Sequence, residues 1–179
     1  MFPRPTIEAF DRWLAARTLR LEAIVVGGSA LALLGVTDRQ TRDVDILDPE
    51  LPAEVAEAAR EFAAHMRTEG TELGDDWLNN GPMQLAEVLP AGWRARVRAV
   101  FSGHALRLTT LGRGDLLKAK LFALCDRGTD LGDCVALAPT PEELDEAGPW
   151  LAERDAHPGW REHVRLTVED LRRRLGDGV

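Results

Sequence analysis

Two carboxylates set one residue apart, Asp43 and Asp45 in the run Asp43-Val44-Asp45-Ile46-Leu47, are the residues of this chain whose types and spacing point most directly to chemistry. A strand has a side-chain period of two, so Asp43 and Asp45 share one face while Val44 and Ile46 point into the core. Two carboxylates a strand-step apart repel each other unless a cation lies between them. A hard divalent ion, Mg²⁺ or Mn²⁺, meets that need, because Mg²⁺ takes one or two protein carboxylates and completes its shell with water and substrate phosphates.

The segment just upstream supplies a complementary feature. Ala23-Ile24-Val25-Val26 is apolar and largely β-branched, Gly27-Gly28 follows, and Ser29 precedes the helix-forming Ala30-Leu31-Ala32-Leu33-Leu34 before Gly35. This order predicts a strand, a tight turn and a short helix. Glycines at such a turn let backbone approach a ligand, Ser29 is expected to cap the helix, and the helix start offers N–H groups to a phosphate.

A glycine-serine turn followed by a D-x-D strand resembles the nucleotidyltransferase superfamily, the DNA polymerase-β-like fold. The resemblance implies that Gly27, Gly28 and Ser29 bind nucleotide phosphates and that Asp43 and Asp45 hold Mg²⁺ (or Mn²⁺). The alternative is a strand–helix turn that binds no phosphate, followed by an acidic edge strand; either half alone favours it, whereas the two in this order and spacing favour the resemblance.

A second group lies further on. The helix expected around Asp115 to Leu124 contains both lysines of the chain, Lys118 and Lys120, where every other basic residue apart from histidine is arginine. A compact ammonium suits a phosphate, and two residues of separation is about 200° on a helix, so at most one lysine faces a given site. Neither stands out as buried against the apolar face of Leu117, Leu121 and Leu124. Lys120, Ala123, Arg127, Asp130 and Asp133 follow a pattern similar to that of abortive-infection-type nucleotidyltransferase toxins and related bacterial nucleotidyltransferases, with the arginine one place late. The resemblance implies that Lys120 rather than Lys118 meets the triphosphate and that a downstream aspartate, Asp130 or Asp133, joins the site. The alternative is structural: Asp130 caps the next helix and Asp133 pairs with Arg127.

Most members of the superfamily carry a third carboxylate on a strand next to the D-x-D strand, and in many it serves as general base or completes a second metal site. The expected hairpin strands, Arg94 to Phe101 and Ala105 to Leu111, contain no acid. A replacement is therefore sought in the loop around Asp75 and Asp76 or at Asp130, which is the preferred candidate for acting on the acceptor hydroxyl. The Asp-Asp-Trp-Leu-Asn-Asn loop is equally well read as a loop pinned by one buried Trp77.

The surrounding elements must position these groups. Pro3 and Pro5 suggest an extended start, and Thr6 a cap for a helix to about Leu19. A helix is expected from about Val55 to Thr68, a capping box at Thr140-Pro141-Glu142-Glu143 opens another to about Arg154, and Trp160 to Leu175 forms the last. The fold expected is α+β, a small mixed β-sheet flanked by helices, with residues 1–112 as a nucleotidyltransferase-like α/β core and 113–179 as a helical C-terminal portion packed on it.

With 179 residues, 45% apolar and 29% charged, the composition is that of a soluble globular protein. The chain shows neither an apolar run of membrane-spanning length nor a signal-peptide h-region, so no membrane association and a cytoplasmic location are expected. Cys125 and Cys134 have no ligand-spaced partners and read as buried thiols. A net charge of −8 excludes a general nucleic-acid coat, although residues 91–127 carry eight basic residues against two acids, a balance that a phosphate site could use.

The function expected is a Mg²⁺-dependent transfer of a nucleoside monophosphate from a nucleoside triphosphate to an acceptor. The resemblance implies a tRNA or other RNA acceptor and a role as the toxin of a bacterial toxin–antitoxin or phage-defence pair, with a cognate antitoxin protein as partner. The missing strand carboxylate motivates the alternative of a catalytically inactive nucleotide-binding or protein-interaction module with the same fold.

Overall fold

The computed structural model describes residues 3–176, an α+β chain with a five-stranded mixed sheet. The chain divides into two units, one of Met1–Glu87 with Arg94–Leu111 and the other of Val88–Trp93 with Gly112–Val179. The second unit thus includes a short segment, 88–93, from within the range read above as the α/β core.

In the first unit, helix α1 (Pro3–Ala16) leads into strand β1 (Leu21–Val26), followed by α2 (Gly27–Leu33), β2 (Val44–Asp48), α3 (Ala53–Thr68), the two-residue β3 (Leu78–Asn79), β4 (Arg98–Ser102) and β5 (Leu106–Thr110). A four-residue helix, α4 (Leu85–Val88), lies between β3 and β4 in the sequence. The sheet order is β3-β2-β1-β5-β4. Central β1 runs antiparallel to β2 and parallel to β5, β2 pairs in parallel with β3, and β4 and β5 form the antiparallel hairpin. Val25, Val44, Ile46 and Leu108 are completely buried, and Phe10, Phe62 and Trp77 from α1, α3 and the segment before β3 form an aromatic cluster. The indoles of Trp13 and Trp77 donate to the carbonyls of Ala58 and Ala59, both at 3.0 Å, which satisfies their N–H groups on the inner side of α3.

Several local expectations change. Pro3 and Pro5 lie in the first turn of α1, where a missing N–H costs nothing, so Thr6 is a buried helical residue and not a cap. The strand expected from Arg94 starts only at Arg98. Trp93–Arg96 is a 3₁₀ turn, closed by a Trp93 N–H bond to the Pro90 carbonyl, and buried Trp93 overrides the alternation that placed Arg94, Arg96 and Arg98 on one face. A register shift between Ala99 and Phe101 then makes Val100 the buried residue of β4. Strand β3, read as loop, forms because its two residues complete the edge of β2.

The second unit holds α5 (Arg113–Arg127), α6 (Leu131–Ala136), α7 (Pro141–Ala152) and α8 (Trp160–Gly176). Helix α5 ends on Gly128 at φ +68°, and α7 starts with the expected capping box between Thr140 and Glu143. Arg113 joins the start of α5 to that box through Glu143, at 2.6 Å, and to the Leu137 carbonyl, at 2.9 Å. Trp160 donates to the Leu151 carbonyl, while a ring nitrogen of His163 contacts the Cys125 carbonyl, both at 2.8 Å. Both thiols are buried, and burial pushes Cys125 up to about 11 and Cys134 up to about 12.

One buried carboxylate ties α1 to the hairpin. Asp11 accepts backbone N–H bonds from His104 at 3.1 Å and from Ala105 and Leu106 at 2.8 Å each, and it packs so tightly against Gly103 that no side chain fits there. Burial acts to raise its pKa, but the bonds from Ala105, His104 and Leu106, with the charge of His104, outweigh it and hold the carboxyl below its ordinary value. A carboxylate depressed in the folded state adds stability above its unfolded pKa and loses it as pH falls through the folded value. Asp11→Asn is therefore expected to lower stability by about 2 kcal/mol at pH 7, the scale of hydrogen bonds to a charged group. In urea denaturation the gap between variant and wild type should narrow as the pH falls below about 4.

Candidate active site

At the end of β1, Val26 pairs with Asp45 of β2, and this register brings the Gly27-Gly28 turn beside the acidic strand. Asp43, immediately before β2, and Asp45 within it are half-buried while Val44 and Ile46 are fully buried, an alternation that turns the aspartates away from the core. Gly27 has φ +77°, and a Cβ there would stand 2.5 Å from Oδ2 of Asp45, so both the backbone conformation and the close carboxylate require glycine. A Cβ on Gly28 would lie 3.5 Å from Oγ1 of Thr41 and 3.6 Å from the Arg39 guanidinium. The Thr41 hydroxyl in turn lies 3.2 Å from the Asp43 carbonyl and 3.4 Å from its carboxylate. Asp43, Asp45, Thr41 and Arg39 thus gather around two glycines.

Ser29 departs from its expected role. Helix α2 begins at Gly27, its N-cap is Val26 with no side-chain cap, and the buried Ser29 hydroxyl donates back to the Val26 carbonyl at 3.3 Å. A hydroxyl already inside the first turn bonds to the carbonyl three residues back, so Ser29 secures the strand–helix junction from within. Thr41 and Arg39 escaped the sequence reading; the only signal for them is their position in the polar loop leading to Asp43.

The donor set suits a hard divalent ion held by two carboxylates. Among the described residues no group of three or more His, Cys, Asp or Glu side chains forms a metal cage, whereas Mg²⁺ needs only one or two carboxylates beside water and phosphate oxygens. The neighbours of β2 are β1 and β3, so the hairpin searched for a third acid lies on the far side of β1. Opposite Asp45 on β3 stands Asn79, an amide.

Asp76 is exposed in the loop before β3, which is built as a structural connection. Trp77 is fully buried, Arg67 binds the Leu73 carbonyl at 2.6 Å and Asp75 at 2.8 Å, and the Asn80 side chain holds Leu51, Ile46 and Pro49 backbone groups.

In the second unit Lys120, Asp130 and Asp133 form a compact cluster. The Lys120 side chain, which does not stand out as buried in the sequence, is only 9% accessible; its ammonium lies 2.7 Å from Asp133 and 3.2 Å from Asp130. Asp133, at 4%, is the enclosed member and Asp130, at 23%, the one that opens outward. Asp130 occupies the N-cap position of α6 at φ +68° but makes no capping bond, because its carboxylate is turned to Lys120. Arg127, the partner expected for Asp133, instead stands 4.0 Å from Asp130. Lys118 points elsewhere, to Glu146 at 2.9 Å.

The basic segment 91–127 is also largely neutralised. Arg94 meets Asp48, Arg107 meets Glu22, Arg113 meets Glu143, and both lysines are paired with acids. Each of these cations already has an acidic partner close by, which lowers the net charge that the segment offers to a polyanion.

The contrast between the lysines has a measurable consequence. Lys120→Ala strands the enclosed Asp133 without its cation and should cost about 3 kcal/mol, the range for breaking a buried pair. Lys118→Ala removes a surface pair and should change stability by less than about 1 kcal/mol. Urea denaturation of the two variants at pH 7 checks the difference.

No curated protein and no solved structure matches the chain. A family model described as a nucleotidyltransferase of unknown function (DUF6036) matches residues 6–136, a span that includes both the Gly27–Asp45 group and the Lys120–Asp133 cluster. The match covers well over half of the chain, which therefore belongs to this nucleotidyltransferase family.

Proposed function

We propose that the protein transfers a nucleoside monophosphate from a nucleoside triphosphate to an acceptor hydroxyl and requires Mg²⁺ or Mn²⁺. The observation that carries this reading is the approach of Asp45 to the Gly27 backbone beside Asp43, within a chain of nucleotidyltransferase family. Asp43 and Asp45 would hold the ion, which when bound neutralises triphosphate oxygens and polarises the phosphorus under attack. Thr41 fixes the orientation of Asp43, and Gly27 leaves room for the Asp45 carboxylate. Gly28, bordered by Thr41 and Arg39, is where backbone can come closest to a phosphate.

In the reaction the acceptor oxygen attacks the α-phosphorus, pyrophosphate leaves, and the hydroxyl proton passes to a base. Asp130 is the candidate for that base. It is the accessible carboxylate of its cluster, with the Lys120 ammonium 3.2 Å away to hold it in place. Lys120 itself is engaged with two carboxylates, so it positions Asp130 directly and meets a phosphate only if that ion pair opens. An RNA acceptor, a toxin role and a cognate antitoxin rest on the resemblance of residues 116–137 alone, and the neutralised basic segment gives them no electrostatic support.

Calorimetry with Mn²⁺ in the presence of nucleoside triphosphate should show binding that disappears in Asp45→Asn and is weakened in Asp43→Asn. Pyrophosphate release with each nucleoside triphosphate and total tRNA tests turnover. Metal-dependent nucleotide binding without release, under all four nucleotides and with varied acceptors, would support the binding-module reading instead.

Asp130→Asn is expected to reduce turnover by about 10²-fold while leaving nucleotide affinity nearly unchanged, the scale of a lost general base. Full turnover in a folded Asp130→Asn variant would remove Asp130 from the chemistry. Selective loss in Asp76→Asn would move the role to the loop before β3.

A further inference from the structure

The row of the sheet that contains Asp45 runs from Asn79 on β3 across Asp45 on β2 to Val26 on β1. Neighbouring strands lie about 4.8 Å apart, and paired residues carry their side chains on the same face. In the preceding row Val44 and Leu78 are both buried, so Asn79 shares with Asp45 the face turned away from the core. Val26, the partner of Asp45 on the other side, is apolar and buried, and Gly27 after it closes on the Asp45 carboxylate. Position 79 is therefore the one ladder position beside Asp45 from which a polar side chain joins this face.

The Asn79 amide is engaged at both ends. Its oxygen accepts from the Gly81 N–H at 2.7 Å and its nitrogen donates to the Asp76 carbonyl at 3.3 Å, so the side chain closes the turn that leaves β3. It brings no charge to the face that carries Asp45. Two divalent ions in one site stand about 3.5–4 Å apart, and their repulsion is overcome by carboxylates shared between them. Asp43 and Asp45 together carry the two negative charges that one divalent ion balances. A second ion needs another charged oxygen beside Asp45, and the residue in that place is neutral.

We propose that Asn79 restricts the Asp43–Asp45 site to a single divalent ion, and that position 79 is the seat from which a carboxylate admits a second. The inference rests on the metal-holding role proposed above for Asp43 and Asp45. It also bears on the acceptor: with one ion committed to the triphosphate, removal of the acceptor proton falls to a side chain of the protein. Aspartate has nearly the shape of asparagine. At position 79 it keeps an oxygen for the Gly81 N–H and gives up only the longer bond to the Asp76 carbonyl, so Asn79→Asp changes charge while preserving the turn. Without metal the new carboxylate and Asp45 repel each other, whereas bound divalent ions turn that repulsion into shared ligation.

The test counts Mn²⁺ on the full chain by equilibrium dialysis and electron paramagnetic resonance, with a nucleoside triphosphate analogue whose α–β bridge is a methylene group. Wild type is expected to hold one Mn²⁺ per chain with the spectrum of an isolated ion. Asn79→Asp is expected to hold two, with the spin coupling of ions a few ångströms apart. In thermal unfolding Asn79→Asp should melt below wild type in metal-free buffer and gain more than wild type from Mn²⁺. A coupled pair of ions in wild type, or a single isolated ion in folded Asn79→Asp, overturns the proposal and leaves the metal-holding role of Asp43 and Asp45 standing. Failure of both proteins to bind Mn²⁺ overturns that role and the proposal with it. Should Asn79→Asp not fold, the wild-type spectrum still decides between one ion and a coupled pair.

Discussion

Strand β1 is held along both edges, antiparallel to β2 and parallel to β5, and this double pairing is the constraint on which the first unit depends. A strand fixed on two sides cannot slip by one residue without turning every side chain to the wrong face. Here that would expose Val25 and Ala23 and bury Glu22. The same register sets where β1 ends, and therefore where Gly27 turns beside Asp45. Core packing thus determines the geometry of the acidic pair. A polar site built on the end of a locked strand inherits the precision of the hydrophobic core without needing a network of its own.

Electrostatics in the two units follow different rules. Asp11 is buried and held chiefly by three backbone N–H groups, which cannot move away or be screened. Lys120 and Asp133 are buried as an ion pair, where attraction must offset desolvation of both groups and Asp130 supplies the additional contact. Several other charged contacts are exposed helix pairs, such as Arg165 with Glu162 and Glu169, and contribute little each. Ionic organisation at Asp11 and Lys120 thus shapes the fold, while that of the surface chiefly neutralises arginine.

Much of the architecture was legible because it is written in local pattern. The β-branched run before Gly27, the alternation around Asp43 and Asp45, and the capping box at Thr140 each specify structure over a few residues. The errors came where longer-range contacts outweighed pattern. Alternation from Arg94 suggested a strand, but buried Trp93 and its turn bond to Pro90 claimed those residues. Asp11 carried no signal, since its partners lie more than ninety residues away. The grouping of Asp45 with Gly27 was readable from order and spacing, whereas Thr41 and the burial of Lys120 required the folded chain. Ser29 had the right type for a cap, but the helix starts three residues earlier, with Val26 in the N-cap position.

The parallel pairing of β1 with β5 also has a bearing on synthesis at the ribosome. The central strand emerges early, but the neighbour that completes its second edge, Leu106–Thr110, follows some eighty residues later. The Asp11 carboxylate waits for N–H groups up to 95 positions downstream. Local helices can form meanwhile, but the sheet cannot close until Leu106–Thr110 has been made. A nascent chain in that interval carries an apolar strand with one bare edge, the kind of species that chaperones shield, and the high contact order of this unit makes its folding slower than that of the helical unit that follows it.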